Sequence, residues 1–255
     1  MIRFENTEVF GWEHAIRGMR NPMNSWERSD SAWTINDSED TDEQYGDVGP
    51  VLCKDPFLTH IHYELGENDR DLMMRLANGG PVHAKYRRMI AVYMDVTAPF
   101  YWWKEFSTYK VGTVANSCST MHKIHAKEFM LEDFSCEHLI DYDLYSCNEV
   151  DGPVLECAPN VYCGGVQHMN LTINVLNYYR QKYLETKDKK YWWQMIQLLP
   201  SSYNQKRTVM LNYEVLANIY KSRKDHKLDE WRTFCKWVEE LPYSEIITGG
   251  QKKTV

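Results

Sequence analysis

No Cys-x-x-Cys pair occurs among the seven cysteines, which stand at Cys53, Cys118, Cys136, Cys147, Cys157, Cys163 and Cys235. A disulfide framework or a thiolate zinc site needs paired spacings, so neither is expected. Reduced thiols in a cytoplasm fit this usage. No apolar run approaches the roughly 20 residues that a membrane helix needs. The N-terminal Met1-Ile2-Arg3-Phe4-Glu5-Asn6 lacks an apolar signal region, so a soluble cytoplasmic protein is expected. Excess positive charge is missing too: 36 acidic residues face 29 basic ones, a net charge of -7. That excludes a generic coat for a nucleic acid polymer, because phosphate neutralisation needs a basic surface. Nucleophile-elbow, P-loop and Rossmann glycine signatures are all absent. Cys163-Gly164-Gly165 is glycine-rich but short, and reads as a turn.

What the chain does have is aromatic mass: 17 Tyr, 9 Trp and 8 Phe in 255 residues. Such rings dominate cores and interfaces, and they also stack on flat ligands such as a flavin or a base. Residues 25–56 are polar and acidic, including Ser29-Asp30-Ser31 and Ser38-Glu39-Asp40-Thr41-Asp42-Glu43. That composition predicts a solvated surface loop or a lid. Helices are predicted over 69–77, 100–107, 168–185, 191–199, 213–221 and 228–241, with strands over 89–96 and 207–211. Asn78-Gly79-Gly80-Pro81 stops the first helix, and Ala98-Pro99 is predicted to open the second. The order is α+β: a helix-rich single domain over 1–255 with a small antiparallel sheet.

Two histidine pairs, His60 with His62 and His122 with His125, could each share a face of a strand or a helix. No motif fixes further ligands, so solvated or core histidines are the plainer reading and no metal is assigned. Two stretches have a more specific pattern. In the first, Ala98-Pro99 is followed by Glu105, Thr108-Tyr109-Lys110 and Asn116-Ser117-Cys118-Ser119-Thr120-Met121-His122. In the second, Leu199-Pro200 is followed by Asn212, Asn218, Arg223, His226 and Trp231. Upstream stands His83.

In order and spacing these residues resemble the flavin-dependent thymidylate synthases over about residues 70–242. That family has Ala-Pro, a Gln where Glu105 stands, and Arg-His-Arg where this chain has Thr108-Tyr109-Lys110. It continues with Asn-Glu-x-Ser-x-Arg-Tyr, and later with Leu-Pro and Asn-x5-Asn-x4-Arg. The resemblance implies the thymidylate synthase-complementing-protein fold and a homotetramer. It also implies reductive methylation of dUMP or a related pyrimidine nucleotide with FAD, methylenetetrahydrofolate and NADPH. Arg223 would be catalytic, acting on the pyrimidine. His83, Asn218, His226, Lys110 and Asn116 would hold the cofactor, and Glu105, Ser119 and Arg223 the substrate.

The residues agree in part with what the resemblance implies. An Arg fork suits a carbonyl-rich pyrimidine, and Asn offers a donor and an acceptor to a flavin edge. Asn212, in contrast, is a good helix N-cap, and Arg223 must sit at or beyond a helix end. The departures fall on anion-facing positions: Met121 and Ile196 stand where the family has arginines. Arg87, Arg88, Lys104 or Lys123 would have to compensate. The alternative expectation is therefore a catalytically altered or inactive nucleotide- or flavin-binding homo-oligomer on the same scaffold. A histidine metal enzyme is a lesser third.

Overall fold

The computed structural model describes residues 2–35, 61–140, 155–158 and 161–249. In chain order the elements are β1 (Arg3–Phe10), α1 (Trp12–Arg20), β2 (Ala32–Ile35), β3 (Ile61–Glu64), α2 (Glu67–Asn78), β4 (Ala91–Pro99), α3 (Phe100–Phe106) and β5 (Val114–Ser117). They continue with β6 (Leu155–Ala158), β7 (Val161–Cys163), α4 (Gly165–Thr186), α5 (Lys189–Leu198), β8 (Asn204–Asn212), α6 (Tyr213–Arg223), α7 (Asp229–Glu240) and α8 (Glu245–Thr248). Short 3-10 turns lie at Asn21–Met23, Trp26–Arg28, Ala84–Met89 and Leu131–Asp133. This is the α+β class, helix-rich with small sheets. The described residues form two compact units, one of 97–105, 117–140, 155–158 and 161–206, the other of 2–35, 61–96, 106–116 and 207–249.

In the unit of 117–206, the long α4 and the shorter α5 pack together. Lys187 in the left-handed region (φ 57) ends α4, and Asp188 caps α5 by accepting from the Lys190 N–H. Met169, Ile173 and Leu176 lie three and four residues apart on α4, so one stripe of the helix meets Ile124, Phe129, Phe134 and Met195. Ile196 packs against the same cluster. The Asn177 amide bonds both backbone groups of Phe129, which fixes the loop that brings the Phe129 ring in. Strands β6 and β7 pair antiparallel in this unit. Gly164 is the N-cap of α4, so the glycine pair marks a strand-to-helix junction.

The other unit carries a sheet in the order β1-β4-β8-β5. Val92, Met94 and Val96 alternate into its core, as do Val209 and Leu211. On α7, Trp231, Phe234, Cys235, Trp237 and Val238 are buried on one face. Phe4 stacks on Trp237 at 4.8 Å, and Phe234 meets Phe4, Trp237, Phe106 and Trp231. Burying each such ring stabilises the fold by about 1.5–3 kcal/mol. Strands β2 and β3 pair antiparallel from Ala32↔Glu64 to Ile35↔Ile61.

Three differences from the sequence expectations have physical causes. Pro99 ends β4 rather than opening the helix. Its fixed φ also suits an extended strand end, and α3 starts one residue later. The first donors of α3 go to Tyr203 and Ser201 carbonyls, from Phe100 and Tyr101. Residues 25–35, expected within a solvated loop, lie at the surface, but Ser29, Asp30 and Ser31 are tied down by Asp69 and 32–35 form β2. The rest of that segment, 36–56, is outside the described residues. Strand β5, in the motif stretch 114–117, has no sequence signal because all four of its residues are exposed.

Candidate functional site

Arg223 is the last residue of α6, where a cation favours the helix dipole. Its guanidinium carbon stands 4.7 Å from the Trp231 ring centroid and 5.7 Å from that of Tyr109. Its Nε–H donates to the Tyr109 hydroxyl at 2.9 Å. Trp231 is fully buried, so the indole is a fixed floor. It meets the Tyr109 ring edge-on at 6.0 Å. A guanidinium on an aromatic face gains about 0.5–2 kcal/mol, most when desolvated.

His226 reaches the same indole, edge-on at 6.3 Å. Its Nδ1 accepts from the Leu228 N–H at 3.2 Å, which places the ring proton on Nε2. Its own N–H donates to the Arg223 carbonyl. Arg232 donates to the carbonyls of His226 and Lys227 and so clamps the turn between α6 and α7.

The loop after α3 is set by two turns, Tyr109 N–H to Phe106 and Thr113 N–H to Lys110. Gly112 sits at φ 77, and a Cβ there would lie 3.0 Å from Asn212 Nδ2 and 3.1 Å from Val215 Cγ2. Only glycine lets the backbone lie so close to the start of α6. Asn212 caps that helix: its Oδ1 accepts from the Val215 N–H at 3.1 Å. Asn212→Ala is expected to cost about 1 kcal/mol, read as a lower urea midpoint at unchanged slope. A midpoint equal to wild type would overturn the capping role.

The structure thus brings together Arg223 and His226, with Tyr109 and Trp231. Lys110 follows Tyr109 and is exposed. Asn218 is exposed on α6 and Asn116 is exposed on β5. His83 is exposed at the N-cap of the Ala84–Met89 turn. It lines a different feature, a cavity of about 1000 Å³ with Met19, Leu72, Leu76, Arg28, Arg75 and Lys85 on its walls. Arg75 is paired there with Asp71 at 3.0 Å. In the other unit, the Ser119 hydroxyl accepts from the His122 N–H, so it closes a turn. Glu105 is half-buried on α3.

The sequence missed Tyr109 and the floor role of Trp231. The signal was available only as an aromatic at the motif's central position. Of the cations proposed as replacements, Arg87 is buried with Glu214 at 3.6 Å, so its charge is committed inside the fold.

Among the described residues no group of three His, Cys, Asp or Glu side chains could hold a metal. His60 lies outside them, and His62 Nε2 faces Thr34 Oγ1 at 3.3 Å. Burial, then Lys187, Lys123 and Arg180, hold the His125 pKa below its ordinary value. Burial pushes the Cys235 thiol up to about 12, with Glu239 and Asp225 adding to it, so it is no nucleophile. No helix among the described residues is long and apolar enough to cross a membrane.

No protein-family model matches the chain, and no curated protein does. Solved structures do. Thymidylate Synthase X from Helicobacter pylori, with FAD and dUMP, superposes with a TM-score of 0.59 at 14% identity, over 99% of this chain and 100% of that one. A second structure of that enzyme, described as flavin-dependent and also complexed with FAD and dUMP, gives 0.57 at 14% identity over 95% and 96%. The UMP/dUMP methylase PolB from Streptomyces cacaoi, bound with 5-Br dUMP, gives 0.54 at 13% identity over 97% and 95%. The chain therefore has the fold of the flavin-dependent thymidylate synthases.

Proposed function

We propose that the chain is a flavin-dependent enzyme that reductively methylates dUMP or a related pyrimidine nucleotide. Methylenetetrahydrofolate would donate the carbon and NADPH the reducing equivalents. The observation that carries this reading is the Arg223 guanidinium, laid on buried Trp231 in a chain with this fold. A fixed, always-charged fork is suited to a pyrimidine carbonyl as negative charge develops on it. Arg223 is accordingly the catalytic residue of the proposal.

The residues present suit a large flat anionic cofactor in part. The cavity beside His83 offers apolar surface from Met19, Leu72 and Leu76, and cations from Arg28 and Lys85. FAD, when bound, supplies hydride chemistry. His83, Asn218 and His226 would seat it, with Lys110 and Asn116 toward its polar parts. Glu105 and Ser119 would meet the nucleotide. The chain would act as one domain over 1–255 and assemble as a cytoplasmic homotetramer.

A second reading, a nucleotide- or flavin-binding homo-oligomer without this activity, is favoured by one observation. Ile196, at a position where the family has an arginine, is spent on packing against the core of its unit. It offers no donor to a phosphate.

Purified protein should be yellow, and FAD at about 100 times its Kd should raise the melting temperature by about 5–10 °C. A colourless protein with no shift at saturating FAD would sink the flavin reading. Rescue of a thymidine-requiring strain would decide for the enzyme over the binding protein.

A further inference from the structure

We infer that Tyr109, at the centre of the altered basic triplet, is the positioning residue for Arg223 and aims its guanidinium. This rests on the proposed role of Arg223. In the sequence, Thr108-Tyr109-Lys110 reads as a loss of charge. In the structure the middle residue has a defined partner. The Tyr109 hydroxyl accepts from Arg223 Nε at 2.9 Å, and the two rings of Tyr109 and Trp231 form an edge-on corner around the guanidinium.

Each contact removes one freedom of the arginine. The indole face fixes the plane of the fork. The hydroxyl on Nε fixes its rotation within that plane, and so the direction of the Nη1/Nη2 edge. An arginine side chain otherwise has many rotamers, and holding it in one geometry is costly unless the site is preorganised. Tyr109 is itself held by its N–H bond to Phe106 and by the tight loop at Gly112. Its ring reaches Arg223 without burial of a new charge. Its neighbours in the triplet, Thr108 and Lys110, are exposed, whereas Tyr109 is half-buried.

The test uses the full chain and three variants: Tyr109→Phe, Arg223→Lys and the two combined. The first readout needs no activity. The Arg223 Nε–H signal in a ¹H–¹⁵N spectrum, assigned by its loss in Arg223→Lys, should be protected from exchange in wild type. It should lose that protection in Tyr109→Phe. The second readout is kinetic. Tyr109→Phe should lower kcat by about 10- to 100-fold, the range for a hydrogen bond to a charged group, with KM for dUMP changed far less. In the Arg223→Lys background the same change should have almost no further effect.

Full additivity of the two substitutions, or unchanged exchange of Nε–H in Tyr109→Phe, would overturn the inference. Equal melting temperatures of wild type and Tyr109→Phe keep a folding defect from imitating the result. A wild-type chain that binds neither FAD nor dUMP is a different failure: it removes the functional reading itself, and the spectrum then still reports whether Tyr109 holds Arg223.

Discussion

Arg223→Ala is expected to lower kcat/KM for dUMP by about 100- to 1000-fold, the usual effect of removing a preorganised donor from developing charge. The reason is geometric. In the proposed reaction the guanidinium would act where charge appears on the pyrimidine, and its position is already set by Trp231 and Tyr109. Nothing has to reorganise when the charge develops. The cost to the fold should be moderate, about 2 kcal/mol for the lost cation–π contact and the lost hydrogen bond to Tyr109, because Trp231 stays packed against Phe106 and Phe234. Activity should thus collapse while the melting temperature falls by only about 4–8 °C. A variant that keeps kcat/KM within tenfold of wild type would remove Arg223 from the chemistry.

The second large effect concerns stability. Asp69→Ala should cost about 3–5 kcal/mol, the penalty for leaving a buried charge without its partner. Asp69 is completely buried and Arg20 is 3% exposed. Asp69 Oδ1 accepts from Arg20 Nε at 2.6 Å. Its Oδ2 accepts from the hydroxyls of Ser29 and Ser31, each at 2.7 Å, and from the Asp30 and Ser31 N–H groups. Arg20 in turn donates to the Ser25 and Arg28 carbonyls.

The fastening runs both ways. The Asp30 carboxylate accepts from the first N–H groups of α2, on Asn68 and Asp69. Gly66, whose Cβ would lie 2.1 Å from Asp30 Cγ, leaves room for that approach. One buried carboxylate therefore holds residues 25–31 and helix α2 together.

The network also sets an acid response. Burial alone would raise the Asp69 pKa, but bonds from Ser29, Ser31 and Arg20 bring it below the usual carboxylate range. A depressed folded-state pKa contributes stability that is present above the unfolded value, near 3.9, and lost as pH falls through the folded value. In Asp69→Asn this pH-dependent contribution is absent. The stability gap between wild type and Asp69→Asn should therefore be widest above about pH 4 and narrow below it. Urea unfolding from pH 2 to pH 7 measures this, and a gap that stays constant with pH would refute the assignment.

Much of the secondary structure was readable because its causes are local. Asn78-Gly79 ends α2 as the residue types require, with the Gly79 N–H on the Arg75 and Leu76 carbonyls. Asn212 caps α6, and Arg223 falls at its end, as the helical count demands. The apolar stripes of α4 and α7 follow from spacings of three and four. The resemblance, too, was carried by spacing: the run from Pro200 to Arg223 matched the family without a gap, and the fold agrees.

The sequence by itself thus determined six of the helices to within about three residues at each end, the fold class and the place of Arg223 at a helix end. Helices α1 and α8 were not among the predicted elements. Tertiary structure alone decided what touches Arg223. Tyr109 lies 114 residues from Arg223, and Arg20 lies 49 from Asp69. No periodicity spans such distances, because a hydrogen bond between remote side chains exists only once the chain has brought them together. For the same reason Ser29-Asp30-Ser31 read as solvated polarity. In a folded chain a serine, a backbone N–H and an arginine can converge on one carboxylate, and a polar run then becomes an anchor.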